Sequence, residues 1–182
     1  MPTESTTIPS AFVTDERTDI MIRTSLCYLE QNGCYLMLLR NKKAHDVNEG
    51  KWIGVGGKLE PGETAEQCAV REIREETGLT VHDLTPRGMI YFHAEGWESE
   101  EMALFTATHF SGELTDCDEG ELRWIDKQAV MELNLWEGDR IFLRRLMEDA
   151  PYFEMTLRYR GEQLYQVIVD GQEREPSDCH FL

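Results

Sequence analysis

The pattern of apolar and polar positions becomes regular at Ile20. MIRTSLCYLE reads as a strand, QNG as a turn and CYLMLLR as a second strand, which together predict a hairpin. NKKAHDVNEGK is polar and predicts a loop before Trp52, and GVGGKLEPGET predicts a glycine-rich loop. TAEQCAVREIREETG changes to the helical period and predicts a helix from Thr64 to Thr77. Thr64 and Gln67 fit a capping box at its start, and Gly78 fits the position just past its end. LTPRGMIYFHA, EMALFTATHFSG and ELRWID follow as strands, and DKQAVMEL and GDRIFLRRLMED as helices. FEMTLRYRGEQLYQVIV predicts a closing hairpin around Arg160-Gly161, and DGQEREPSDCHFL an irregular end. Residues 1–19 have no such pattern and are expected to form a tail before one domain over 20–182. Strands flanking two helices predict a layered α/β domain (α+β by some schemes) with a mixed sheet between helices.

Charge narrows the partners. The 182 residues hold 18 Lys and Arg against 35 Asp and Glu, a formal charge of −17. That balance opposes passive binding to a nucleic acid polymer or an anionic membrane, both of which need basic clusters. It does not oppose a small anionic ligand held through a divalent cation. No apolar run is long enough to span a bilayer, and the first residues have no basic and apolar signal pattern. The five cysteines are odd in number, widely spaced and without a CxxC pair, so a reduced cytoplasmic setting is expected.

The predicted helix carries the candidate chemistry. Ala65, Cys68, Ala69 and Ile73 form an apolar stripe, which Glu72 and Glu76 extend, with Glu75 beside them. The helix is therefore expected to aim three carboxylates at the body of the protein. Clustered, buried and unpaired carboxylates would take up protons, and a hard divalent cation such as Mg²⁺ or Mn²⁺ relieves the crowding.

Gly57, Glu63, Arg71, Glu72, Ile73, Glu75, Glu76, Gly78 and Leu79 stand at the spacing G-x5-E-x7-R-E-U-x-E-E-x-G-U, where U is aliphatic. This resembles the Nudix box at every fixed position. The resemblance implies an α/β/α sandwich with a mixed central sheet and a terminal β-hairpin. It also implies Mg²⁺-dependent hydrolysis, by water, of a nucleoside diphosphate linked to another moiety. Residues matching Glu72, Glu75, Glu76 and the Gly56 carbonyl bind the metal in that family, and residues matching Glu63 and Arg71 form an orienting ion pair. A loop acid completes the metal site or activates water. Glu119 matches it best, in the polar turn before Trp124, with Asp118 as its rival.

The likeness runs over about residues 21–170 and is nearest to MutT-type enzymes of the oxidised-purine branch. These cleave 8-oxo-dGTP to the monophosphate and pyrophosphate, a nucleotide-pool sanitation activity linked to DNA repair. Trp136 and Asp139 match the segment that lines the base pocket in that branch. Gly57, Lys58 and Lys42 are expected near the phosphates, with Lys43 and the weaker candidate Arg40 as alternatives. Two departures are Ile53, where some members have Asn, and Glu137-Gly138-Asp139, where some have two adjacent acids. Other substrates remain open, among them ADP-ribose, dinucleoside polyphosphates, nucleotide sugars and ordinary nucleotides, and so does a sensor module without catalysis.

Overall fold

The computed structural model describes residues 21–177, so the expected tail and Cys179 lie outside the described residues. The first hairpin forms as predicted: β1 (Ile22–Gln31) turns at Asn32-Gly33 into β2 (Cys34–Arg40). Both turn residues have positive φ, 51° and 76°, the turn class whose twist matches the flanking strands. The chain continues through β3 (Trp52–Ile53), β4 (Val55–Lys58), α1 (Ala65–Thr77), β5 (Thr80–Val81) and β6 (Thr85–Ala94). Then come β7 (Glu100–Ala107), β8 (Phe110–Ser111), β9 (Gly120–Asp126), α2 (Lys127–Val130) and α3 (Glu137–Met147). It closes with β10 (Phe153–Arg160), β11 (Gln163–Val169) and β12 (Gln172–Arg174).

Ten strands form one mixed sheet in the order β12-β11-β10-β6-β7-β1-β2-β3, with β4 joined to β1 and β9 to β2. The β1–β7 and β6–β10 pairs are parallel. Period-two alternation in β1 explains its continuous apolar run, because both faces are covered. Leu26 and Tyr28 join the core cluster of Ile141, Phe142 and Leu143 from α3. Cys27 and Leu29 join the opposite cluster of Ala69 and Ile73 from α1. Helices on the two faces give the expected sandwich. Among the described residues no helix is long and apolar enough to cross a membrane.

Four segments differ from the sequence reading. EMALFTATHFSG is not one strand: it breaks after Ala107, and β8 pairs with β5 in a separate two-stranded sheet. The start of the glycine-rich loop is the strand β4, because Gly56 and Gly57 let its backbone lie against β1. A Cβ at Gly56 would sit 1.9 Å from the Ser25 carbonyl oxygen. Gln172–Arg174, expected to be irregular, pairs with β11, whose edge is otherwise open. Of DKQAVMEL only one turn, α2, is helical.

The strand pairing opens the cleft. β1 pairs with β2 only at the hairpin end, through Glu30↔Tyr35 and Gln31↔Cys34. Beyond that point β4 takes the β1 edge from Cys27↔Val55 to Thr24↔Lys58, while β2 goes on to pair with β9 and β3. The two strands therefore diverge, and a cleft of about 620 Å³ lies between them.

Candidate active site

Helix α1 is fixed at both ends. The Gln67 N–H donates to Thr64 Oγ1 at 3.2 Å and the Thr64 N–H to Gln67 Oε1 at 2.9 Å, the reciprocal pair expected of a capping box. Gly78 adopts the left-handed conformation, φ 77°, and its N–H donates to the Arg74 carbonyl. With its ends set, the helix buries Cys68, Ala69, Ile73 and Glu76. The Glu76 side chain is 6% exposed and that of Glu72 15%. Glu75, expected to face the body of the protein, instead lies on the flank with its side chain 59% exposed. It is four residues from Arg71, which holds it at 3.2 Å on the solvent side.

Arg71 gathers the acids around this helix. It forks onto Glu63, Nε to Oε1 at 2.8 Å and one terminal nitrogen to Oε2 at 3.0 Å. It also donates to Glu72 at 2.6 Å and to the Lys58 carbonyl at 3.1 Å. The hydrogen bonds from Arg71 hold the Glu63 carboxyl down to about 2, so it stays ionised. The Glu72 carboxyl lies against Gly57, where a Cβ would meet it at 2.4 Å. Burial raises Glu72 above the ordinary carboxylate range, and Glu75 and Glu119 add to the shift against the opposing pull of Arg71.

Glu76 and Glu119 form a second pair. Burial raises Glu76 to about 9, and the Glu119 carboxylate beside it adds to the shift. Glu119 is lowered: burial opposes this but is outweighed by a hydrogen bond from Glu76 and by Lys43 and Arg40. One proton on Glu76, donated toward ionised Glu119, accounts for both directions. Arg40 bonds Glu119, Lys43 Nζ lies 2.5 Å from Glu119, and Asp46 holds Arg40 Nε at 2.6 Å. Among the described residues, Glu76 Oε2 is buried without a partner.

Among the described residues, no three His, Cys, Asp or Glu side chains converge as a closed ligand group. Arg71, Arg40 and Lys43 hold the acids instead. The donor set still fits a hard divalent cation. It is built of carboxylate oxygens, one of them buried and unpaired, beside a glycine backbone that admits close approach. Cys68 packs inside this region, accepting from Ser25 Oγ and donating to the Gly57 carbonyl, and is no exposed nucleophile.

The cleft brings Gly56, Gly57, Lys58, Arg71, Glu72 and Glu119 onto one lining with Arg40 and Lys43. Lys42 is not on it. Its ammonium is taken by the Cys117 carbonyl, at 2.6 Å, in the loop before β9. A recess of about 50 Å³ opens beside the cleft, sharing Leu26, Val47, Asn48 and Ile53 with it, and Trp136 and Asp139 line it. Trp136 is both wall and core. It packs edge-on against Phe92 and Tyr159, at centroid distances of 5.5 and 4.9 Å, and its Nε1–H donates to Asn48 Oδ1 at 2.8 Å. Burial raises the Asp139 carboxyl to about 8, against Lys51 and Arg140, which lower it.

A carboxyl raised on folding stabilises fully only below its unfolded value, and that contribution is lost as pH rises through about 8. Asp139→Asn is therefore expected to raise Tm at pH 9 by roughly 5 °C or more, with a much smaller gap near pH 5. Calorimetry at the two pH values checks this, and an equal gap at both would contradict the buried neutral acid.

The NUDIX domain profile matches residues 21–146. The chain belongs to the Nudix family. It is 33% identical to the oxidized purine nucleoside triphosphate hydrolase of Danio rerio over 142 residues, covering 78% of this chain and 88% of the relative. It is also 42% identical to the nucleoside triphosphatase NudI of Salmonella agona, over a shorter stretch of 66 residues, 35% of this chain and 47% of that one. The crystal structure of the mutator MutT protein from Bacillus halodurans superposes with a TM-score of 0.73 at 26% identity, covering 82% of this chain and 98% of that one. This Nudix enzyme is thus a hydrolase of phosphoric anhydride bonds with the MutT-type fold, in a family that generally uses divalent metal ions and small nucleotide substrates.

Four Nudix cleft residues escaped the sequence reading or were underweighted by it. Arg40 ranks below the lysines in the sequence, yet among the described residues it alone meets Asp46, Glu76 and Glu119. Asp46 and Asn48 lie in an Asx turn, with the Asn48 N–H donating to Asp46 Oδ1 at 3.0 Å, and D-x-N in the polar loop was the available signal. Glu100 lines both cleft and recess, and its spacing of two and four from Met102 and Leu104 on β7 placed it on their face.

Proposed function

We propose that this Nudix hydrolase cleaves purine nucleoside triphosphates, with 8-oxo-dGTP as its preferred substrate, to the monophosphate and pyrophosphate. The observation that carries the reading is the continuity of two environments. The acid-rich cleft wall of Glu72 and Glu119 runs into an apolar recess ending in Trp136 and Asp139. A triphosphate fits the first and a planar base edge the second.

Glu72, Glu75, Glu76, Glu119 and the Gly56 carbonyl would hold Mg²⁺, with Mn²⁺ as a substitute. Bound there, the cation neutralises phosphate charge and lowers the pKa of water. Glu63 keeps Arg71 aligned, and Arg71 keeps Glu72 against Gly57. Glu119, ionised and on the cleft wall, would accept a proton from the attacking water. Arg40, Lys43, Lys58 and the Gly57 backbone face the phosphates, with Lys42 bracing the loop behind them. Trp136 and Asp139 contact the base. Ordinary nucleoside triphosphates are the second reading, favoured by Ile53 in the recess wall, which offers no hydrogen bond to a base.

Steady-state kcat/KM for 8-oxo-dGTP, dGTP, dATP, dCTP, ADP-ribose and a dinucleoside polyphosphate, with Mg²⁺, tests the reading. The expected order places 8-oxo-dGTP first by roughly tenfold or more, the scale set by one satisfied polar contact. Preference for ADP-ribose or the dinucleotide would overturn it.

A further inference from the structure

The recess holds a second, half-buried carboxyl that the reaction described above does not use. Glu100 opens β7 and lies opposite Phe92 of β6 and Ile22 of β1. Its side chain lines the recess together with Asp139, although the two come from different elements, β7 and α3. The hydroxyl of Thr24 donates to Glu100 Oε2 at 3.2 Å, which fixes the rotamer and occupies one oxygen. The hydrogen bonds of the described residues include none to Glu100 Oε1 and none to the Asp139 carboxyl. The other recess walls are apolar apart from Asn48, whose Oδ1 is taken by Trp136.

One oxygen of Glu100 and the Asp139 carboxyl thus face a largely apolar slot with hydrogen-bonding capacity that a ligand can fill. Carboxyl oxygens accept hydrogen bonds whether or not the group is ionised, so the slot favours an edge with adjacent N–H donors. A guanine-class base offers such an edge through its ring N–H and exocyclic amine. Burial raises the pKa of Glu100, with Lys58 and the Thr24 hydrogen bond opposing and Asp46 and Glu98 adding, which matches a carboxyl held out of water. The recess volume of about 50 Å³ suits a ring edge, with the rest of the nucleotide in the adjoining cleft.

We propose that Glu100 is a specificity-determining residue, which reads the N–H edge of a guanine-class base jointly with Asp139. The second acid of the base site thus arrives from β7 and not from the residues preceding Asp139. This rests on the nucleoside triphosphate reading of the cleft.

The test compares dGTP with dITP, which lacks only the 2-amino group, on the wild type and on Glu100→Gln. The glutamine keeps the shape, and its amide oxygen still accepts from Thr24. Wild type is expected to prefer dGTP over dITP by roughly tenfold in kcat/KM, mostly through KM, because a missing donor leaves a buried acceptor unpaired. In Glu100→Gln the dGTP value should fall roughly tenfold while dITP changes less than about threefold, collapsing the preference. Equal losses on both substrates, or an unchanged preference, would overturn the assignment of Glu100. The wild-type comparison alone decides if the variant does not fold: no preference for dGTP overturns the proposal. A wild type that cleaves neither triphosphate would overturn the functional reading itself, an outcome distinct from turnover without discrimination.

Discussion

Glu76→Gln is expected to lower kcat by roughly 10³-fold, corresponding to several kcal/mol of lost transition-state stabilisation. The protein should nevertheless remain folded. Glu76 is buried, its Oε2 is unpaired, and without a cation it is raised to about 9. A carboxyl raised in this way loses its stabilising contribution as pH climbs from its unfolded value near 4.5 toward about 9. An amide has no such dependence, so Tm of the cation-free variant at pH 8 should equal or exceed that of wild type. Added Mg²⁺ should stabilise wild type more than the variant, since cation binding favours the ionised acid. Full turnover in the folded variant would remove Glu76 from the chemistry. A collapsed fold would instead make Glu76 a structural acid.

Arg71→Ala should cost both stability and activity. The guanidinium satisfies Glu63, Glu72, Glu75 and the Lys58 carbonyl together, and its side chain is only partly exposed. Removing it leaves Glu63 and Glu72, both little exposed, without their shared cation. A loss of about 2–3 kcal/mol is expected by urea unfolding, less than for a fully buried pair because water reaches the site. Turnover should fall roughly 10²-fold, because Glu72 loses the partner that sets it against Gly57. Arg71→Lys should restore part of the stability and little of the activity, since an ammonium cannot reproduce the fork onto Glu63. Full rescue by lysine would mean that charge alone matters and that Arg71 does not position Glu72.

The helix with the acids was legible in the sequence because its determinants are local. The Thr64–Gln67 box, the apolar stripe ending in Glu72 and Glu76, and Gly78 all act within α1 or one residue beyond it. Glu75 was misplaced for a related reason. Spacing makes it a neighbour of Glu72 and Arg71, but only tertiary packing decides which flank of the stripe water reaches. Lys42 and Arg40 show the same limit. Which cation of a basic run enters a cleft depends on distant partners, here the Cys117 carbonyl for Lys42 and Asp46 with Glu119 for Arg40. The sheet was legible as strands and a terminal hairpin, but not as an order. The parallel β1–β7 and β6–β10 pairs join segments far apart in the chain. Glu100 lay hidden in that order, since it shares a recess with Asp139 only once β7 and α3 are brought to the same core.

Product analysis of 8-oxo-dGTP turnover tests the central claim most directly. Purified protein with Mg²⁺ is incubated with the nucleotide, and the products are resolved by ³¹P NMR. The account predicts 8-oxo-dGMP and pyrophosphate in equal amounts, with neither formed when the cation is chelated. Release of orthophosphate with the diphosphate, or no turnover with any divalent cation, would contradict it.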